Sequence, residues 1–336
     1  METKSRHDID YCYFCGESNQ TLVVSSEDLF AEQKRELEIK RDFYRTSRDA
    51  EVPGKISYIQ DYESALVRCR NCGLIYRDPK PPSLEIVSKY EGEGFCREYD
   101  KLWMDSWRRI FNRFLDKIED IRPGKGRLLD IGCQLGLLPE LASQRGWQAF
   151  GVDPSRYTAS QAGERGVDIF QGVLKEAEFS DESFDVATAL LVFENLPNFK
   201  EELVEIRRIL KTNGLLVLKI GNFDFYNTWR RLIKISGKVS YPLEVILSRL
   251  HLMGFPYQFG FNPETTKQFL LQTGYGKVEV KNYRLFCSID KSLKPEIRLT
   301  ESLSKKGINF IAGAISKATK SKVILGPWLE IYAFKT

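Results

Sequence analysis

RLLDIGCQLGLLPEL, residues 127–141, decides the fold. A short apolar run ends in an acid, turns through glycines and continues into a helix-like segment. A dinucleotide fingerprint needs G-x-G-x-x-G. Here the glycines are Gly132 and Gly136, with Gln134 between them and Leu137 after, so a hydride-transfer reading fits poorly. The pattern fits Asp-x-Gly-x-x-x-Gly at the end of a first strand. A second acid, Asp153, follows Asp130 by 23 residues, one strand–helix–strand step. Gly132 and Gly136 would let the backbone approach a ligand crossing the strand ends. Ionised Asp153 would accept both hydrogen bonds of a ribose diol, because a carboxylate only accepts. Asp130 would favour a positive charge nearby. An adenosyl ligand with a sulfonium and an ammonium suits this set better than a pyrophosphate.

Working outward, strands and helices alternate. RLLDIG is a first strand, with a helix from Gly136 to Arg145 stopped by Gly146. WQAFGVDPS, VDIFQG, FDVATALLVF (184–193) and LLVLKIGN read as further strands, with KEELVEIRRILKTNG an amphipathic helix. This predicts an α/β fold, a mostly parallel sheet with helices on both faces. Upstream, Trp103, Trp107, Ile110, Phe111, Phe114, Leu115 and Ile118 recur at helical spacing within 84–120, before Pro123-Gly124. Such an aromatic stripe reads as core. RDPKPPS, 77–83, reads as the exit from a first module. The expected division is 1–82, 83–124 and 125–336.

The first module is defined by Cys12-Tyr-Phe-Cys15-Gly and Cys69-Arg-Asn-Cys72-Gly. Each is CxxC followed by Gly, the shape of a zinc knuckle. Two pairs make four sulfurs, a closed tetrahedral shell with no open position for substrate, so the Zn2+ ion is expected to be structural. The paired CxxCG argues against disulfides or a redox dithiol. Cys96, Cys133 and Cys287 read as ordinary buried thiols. Between the pairs lies a charged helix, 25–49, capped by Ser25 or Ser26. It is expected to pack on the larger domain or arch over a site.

Of 336 residues, 42% are hydrophobic and 29% charged, ordinary for a globular protein. The charged start METKSRHDID does not read as a signal peptide. No apolar run is long enough for a membrane span. A cytoplasmic location is expected. The net charge of +4 is uneven: residues 1–100 hold 15 basic and 20 acidic residues, whereas 291–322 hold eight basic and two acidic. This basic stretch reads as a solvated helix face or as a surface for acidic partners. Ile297, Ile308, Phe310, Ile311 and Ile315, flanked by Lys305, Lys306, Lys317 and Lys320, would form a weak peripheral membrane contact through 295–319 or be buried against the sheet.

DIGCQLG (130–136), GVDPS (151–155), FDVATALLVFENLPN (184–198), RRILKTNGLLVLKIGN (207–222) and QFLLQTGY (268–275), in this order, resemble the class I S-adenosylmethionine-dependent methyltransferases. With CRNCGLIYRDP ahead of them, the chain resembles bacterial members with an N-terminal zinc module, including sugar C-methyltransferases and enzymes of surface-glycan and natural-product pathways. The resemblance implies a Rossmann-like seven-stranded sheet whose last strand, within 326–336, is antiparallel. It implies that 291–322 lies between strands six and seven. It also implies that S-adenosyl-L-methionine is held by Asp130, Gly132, Gln134 and Gly136 at its methionine end. Asp153 would hold the ribose, and Pro154 and Gly172 to Leu174 would meet the adenine. Leu190 and Leu191 would lie beside the methyl group.

Methyl transfer is an in-line displacement from an activated leaving group, so positioning dominates. A base is needed only if the acceptor loses a proton. Where relatives have Glu-His after the fourth strand, this chain has Glu194-Asn195. Where they read Pro-x-His-Leu, it reads Pro256-Tyr257-Gln258-Phe259. Glu194 and Asn195 are therefore the expected catalytic pair. An amide orients a hydroxyl but takes no proton near neutral pH. His251, Tyr226, Tyr241 and Tyr257 fall in the insert that shapes the acceptor pocket in that family. The expected partner is a small-molecule acceptor, a sugar or a glycan or secondary-metabolite intermediate. The alternatives are an RNA methyltransferase or an inactive cofactor-binding scaffold. The modest, local basic excess and the lack of a base-stacking motif argue against nucleic acid.

Overall fold

The computed structural model describes residues 11–47, 63–80, 97–163, 165–235, 240–249, 252, 258–286, 294–319 and 323–336. Strand β1 (Gln20–Val24), helix α1 (Ser26–Ser47), β2 (Ala65–Cys69) and β3 (Ile75–Asp78) come first, followed by α2 (Arg97–Ile121). The alternating part is β4 (Arg127–Ile131), α3 (Leu137–Gln144), β5 (Gln148–Asp153), α4 (Arg156–Gly163), β6 (Asp168–Gln171), β7 (Phe184–Leu190), α5 (Phe199–Ile209) and β8 (Leu210–Gly221). Then come α6 (Phe223–Ile235), α7 (Ser240–Arg249), β9 (Phe259–Gly260), α8 (Pro263–Gln272), β10 (Tyr275–Asn282), α9 (Pro295–Ala318) and β11 (Trp328–Lys335).

Seven strands form one sheet in the order β10-β11-β8-β7-β4-β5-β6. β4 pairs in parallel with β5 and β7, β5 with β6, and β7 with β8. β11 runs antiparallel to β8 and β10. The chain therefore builds outward from β4 through β5 to β6, then returns to β7 on the other side of β4. The carboxyl ends of β4 and β7 flank this switch point, where open α/β sheets bind ligands. The expected Rossmann-like sheet with an antiparallel last strand is present, and α9 lies between β10 and β11.

The sheet is covered on both faces, so its central strands are near-continuous apolar runs. On one face, Leu128, Val186, Leu215 and Val217 pack with Phe111, Phe114, Leu115 and Ile118 of α2. From Trp107 to Ile118 the stripe of α2 packs in or against this core, as its spacing predicts; the Trp103 side chain lies outside what is described. On the other face, Leu129, Ala187, Leu216 and Leu218 pack with Leu203 and Ile206 of α5.

The cysteine-bearing segment shares that second core. Phe14, between the two sulfurs of its knuckle, stacks on Phe199 at 5.7 Å and meets Phe269 at 4.1 Å. Its β1-β2-β3 sheet takes a fourth strand, β9, from the insert after β8. Ile75 pairs with Gly260, and Tyr76 with Phe259. A two-residue strand has no periodicity, so the sequence does not announce this junction.

Helix α1 starts as expected: Ser25 Oγ accepts the Asp28 N–H at 3.2 Å. It packs on the insert. Arg230 meets Glu32 at 2.8 Å, Tyr226 donates its hydroxyl to Glu32 at 2.9 Å, and Arg35 meets Glu244 at 3.3 Å. Tyr226 is thus committed to α1. Tyr241 is exposed. His251, Pro256 and Tyr257 lie outside the described residues, as do Cys96, Cys287 and Lys320.

Helix α9 is half buried and half exposed. Its inner face carries Glu301 and Lys305 as a buried ion pair, so Lys305 does not flank an outer apolar face. Asn309 clasps the backbone of Leu285, accepting its N–H at 2.9 Å and donating to its carbonyl at 2.8 Å. The outer face exposes Leu299, Leu303, Phe310 (77%) and Ile311, beside Lys306 and Lys317. Among the described residues, no helix is long and apolar enough to cross a membrane.

Candidate methyl-transfer site

Three residues of the turn after β4 have left-handed backbones: Gly132 (φ 67°), Gln134 (φ 46°) and Gly136 (φ 70°). The glycines serve packing. A Cβ on Gly132 would lie 2.4 Å from Val192 Cγ2, and one on Gly136 would lie 2.7 Å from Ile169 Cδ1. Their missing side chains thus seat the turn against its neighbours. Gln134 holds, with a side chain, the conformation in which a fingerprint would place glycine.

The turn is tied to the next strand. Gln134 donates its N–H to Asp153 Oδ2 at 2.8 Å, and Ser155 donates its N–H to Oδ1 at 3.0 Å. Each carboxylate oxygen has two lone pairs, so accepting a backbone N–H leaves room for a hydroxyl donor. Asp130 accepts the Thr188 hydroxyl at 2.6 Å. Burial pushes its carboxyl up to about 7; the Thr188 hydrogen bond opposes this and the Asp153 charge adds to it. Thr188 gives no sequence signal: it is one apolar-run residue among many until β7 pairs with β4.

The other expected contacts follow the strand ends. Pro154 lies just past β5 and is half-buried. Gly172 follows β6 and donates its N–H to the Asp153 carbonyl at 3.0 Å. Leu174 is buried in the core, with its side chain among the apolar residues of the second face. Leu190 ends β7, and Leu191 follows it with φ 65° and an N–H bond to the Lys219 carbonyl of 2.8 Å. Apart from the Leu174 side chain, these residues gather at the carboxyl edge of the parallel strands.

Glu194 and Asn195 form a short helical turn after β7. Glu194 is buried, and its Oε1 accepts the Gly221 N–H at 3.1 Å. Burial pushes its carboxyl up to about 7, opposed by backbone donors and by the Lys219 charge. Gln258, the second position where relatives carry histidine, closes on the same turn. Its N–H donates to the Glu194 carbonyl at 3.1 Å, and its side-chain amide donates to the Asn195 carbonyl. Three buried oxygens here have no donor among the described residues: Glu194 Oε2, Asn195 Oδ1 and Gln258 Oε1. Lys219, one strand away and buried, gives no sequence signal beyond being a lysine in an apolar strand.

The four cysteines form one cluster whose sulfurs all lie within 4.8 Å of one another. Cys12 and Cys72 sulfurs are 3.5 Å apart, and those of Cys15 and Cys69 are 3.6 Å apart. A tetrahedral ion with Zn–S bonds of about 2.3 Å would set edges of about 3.8 Å, so this set fits such an ion. Both knuckles close alike. Gly16 and Gly73 each have φ 77° and donate their N–H to the Cys12 and Cys69 carbonyls at 2.9 and 3.0 Å.

Residues 99–242 match the family described as "Methyltransferase domain". The chain is 36% identical over 121 residues to a ubiquinone biosynthesis O-methyltransferase of Azorhizobium caulinodans, covering 34% of this chain and 47% of that protein. It is 30% identical over 134 residues to uncharacterized protein MJ1123 of Methanocaldococcus jannaschii, covering 40% and 62%. The chain thus spans about half the length of these curated relatives. Among solved structures, an S-adenosylmethionine-dependent methyltransferase of Thermotoga maritima, titled a possible histamine N-methyltransferase, aligns at 21% identity. That alignment covers 72% of this chain and 96% of that one, with a TM-score of 0.46. The middle of this chain, residues 99–242, is thus similar to a methyltransferase domain.

Proposed function

We propose that the protein transfers a methyl group from S-adenosyl-L-methionine to a small hydroxylated acceptor, a sugar or a glycan or secondary-metabolite intermediate. Three buried oxygens beside the end of β7, without a donor among the described residues, carry the acceptor part of this reading. The two amide oxygens only accept, as does the carboxylate when ionised, and a buried acceptor left unpaired costs about 1–3 kcal/mol. A ligand seated there must bring donors, and hydroxyls do so. Relatives named for O-methylation in ubiquinone biosynthesis fit a small-molecule acceptor.

S-adenosylmethionine supplies an electrophilic methyl on a positively charged sulfur. The protein's part is to hold and orient. Asp153 and the Gln134 turn would hold the ribose, with Pro154, Gly172 and the backbone at Leu174 along the adenine. Asp130, Gly132 and Gly136 would frame the methionine end, and Leu190 and Leu191 the methyl. Asn195 and Gln258 would orient acceptor hydroxyls. The four cysteines would hold one structural zinc ion, locking β1–β3 onto the core. The outer ridge of α9, with Lys306 and Lys317 beside Leu303 and Phe310, would give a weak contact with an anionic membrane surface.

The test is transfer of labelled methyl from S-adenosylmethionine to a panel of nucleotide-linked sugars and phenolic or enolic metabolites. Labelled product that disappears in Asp153→Ala supports the reading. Tight S-adenosylhomocysteine binding without turnover on any hydroxylated acceptor would instead favour a scaffold role.

A further inference from the structure

Lys219 stands on β8 two residues before Gly221. The β8–β11 register sets Lys219 opposite Glu330 and Gly221 opposite Trp328, so all four share one face of the sheet. Three rings surround the lysine: its Nζ is 4.0 Å from the ring centre of Tyr283, 4.9 Å from that of Trp107 and 5.3 Å from that of Trp328. The residue is 4% exposed. An ammonium enclosed in this way has lost its water. Ring faces return about 2 kcal/mol at a desolvated site, short of what a buried charge requires.

Four charged groups face it. Glu194 comes from the turn after β7 and Glu330 from β11; Arg113 comes from α2 and Lys305 from α9. Lys305 is paired with Glu301. Glu330 is already committed, bonded to Arg113 at 2.9 Å and also to Lys117 and the Tyr332 hydroxyl. Glu194 is different: one oxygen takes the Gly221 N–H, and the other has no donor among the described residues. It is the carboxylate left to balance Lys219.

We propose that Lys219 is the positioning residue of Glu194, its caged ammonium keeping the free carboxylate oxygen ionised to receive the proton of an acceptor hydroxyl. This rests on the methyl-transfer reading above. The acceptor O–H bond breaks and its proton passes to Glu194 Oε2. The oxygen's electron pair forms the bond to the methyl carbon. The methyl–sulfur bond breaks with its pair kept by sulfur, giving S-adenosylhomocysteine, and Glu194 then returns the proton to water. Lys219 touches none of the reacting atoms. A carboxylate base suits the more acidic hydroxyls within that acceptor class, those of a phenol or enol rather than an ordinary sugar alcohol. Burial pushes the carboxyl up to about 7 and the ammonium down to about 7, each opposed by its partner's charge. Each partner's charge thus favours the ionised form of the other against burial.

Trp107 and Trp328 make the cage readable without an acceptor. Tryptophan fluorescence of the full chain would be titrated between about pH 5 and 9, bracketing both groups. In Lys219→Met the Glu194 inflection should rise by about one pH unit or more, because the opposite charge is gone. In Glu194→Gln the Lys219 inflection should fall. Lys219→Arg should keep the wild-type carboxylate inflection. A lysine that merely fills space would leave the Glu194 inflection in place in Lys219→Met, and that result overturns the pairing. Circular dichroism checks folding; should Lys219→Met unfold, an unshifted lysine inflection in Glu194→Gln overturns it equally. Calorimetry with S-adenosylhomocysteine separates the two ideas. Wild type that binds none removes the methyl-transfer reading even if the shifts are reciprocal, whereas binding with unshifted inflections removes only the pairing.

Discussion

The backbone N–H of Gln134 lies 2.8 Å from Asp153 Oδ2, which joins the turn after β4 to the end of β5. One carboxylate thus shapes the loop and faces the strand ends. Asp153→Ala should weaken S-adenosylhomocysteine by about 1.5–3 kcal/mol, the loss expected for charge-assisted hydrogen bonds. Calorimetry measures it. An unchanged affinity would remove Asp153 from the binding site.

Gln134 carries a side chain at φ 46°. A left-handed backbone costs a residue with a Cβ roughly 1–2 kcal/mol, offset in part by glycine's greater unfolded-state entropy. Gln134→Gly should therefore leave stability equal or raise it by up to about 1 kcal/mol, and Gln134→Val should lower it. Urea denaturation decides; a stabilising valine would contradict the backbone assignment.

Freshly purified protein should contain one zinc ion per chain. Because Phe14 packs into the core of the large sheet, a chelator or Cys69→Ser should lower the melting temperature of the whole unit. Two separate transitions in calorimetry, or no zinc by metal analysis, would rule this out.

Burial raises the folded-state pKa of Asp130 to about 7. An unfolded aspartate titrates near about 4, so between these values the folded chain holds a proton that the unfolded chain has lost. That group's contribution to stability is present at low pH and is lost as pH rises through this window. Asp130→Asn should flatten the decline in stability between acid and neutral pH in the ligand-free protein. Equal slopes in wild type and variant would contradict it.

The α9 ridge should carry the protein to the top of a flotation gradient with anionic liposomes at low salt and release it at high salt, because screening removes the lysine contribution. Phe310→Ser should halve the floated fraction or more. Protein that stays at the bottom at low salt is not a membrane binder.

Local pattern carried much of this protein. The period of the apolar residues and the Asp-x-Gly-x-x-x-Gly turn determined the α/β sheet and the turn that ends its first strand, because strand and helix periodicities are written residue by residue. The two CxxCG pairs determined a four-sulfur cluster, because two intervening residues bring both thiols of a pair to one side. Tertiary structure alone decided what lies across strands. Thr188 meets Asp130 only through the β4–β7 register. Lys219 meets Tyr283, Trp328 and Trp107 only because β8, the end of β10, β11 and α2 converge on one face of the sheet. The cysteine-bearing sheet is completed by Phe259–Gly260, residues far along the chain. Contacts of this kind depend on pairing and burial, which no stretch of sequence contains by itself.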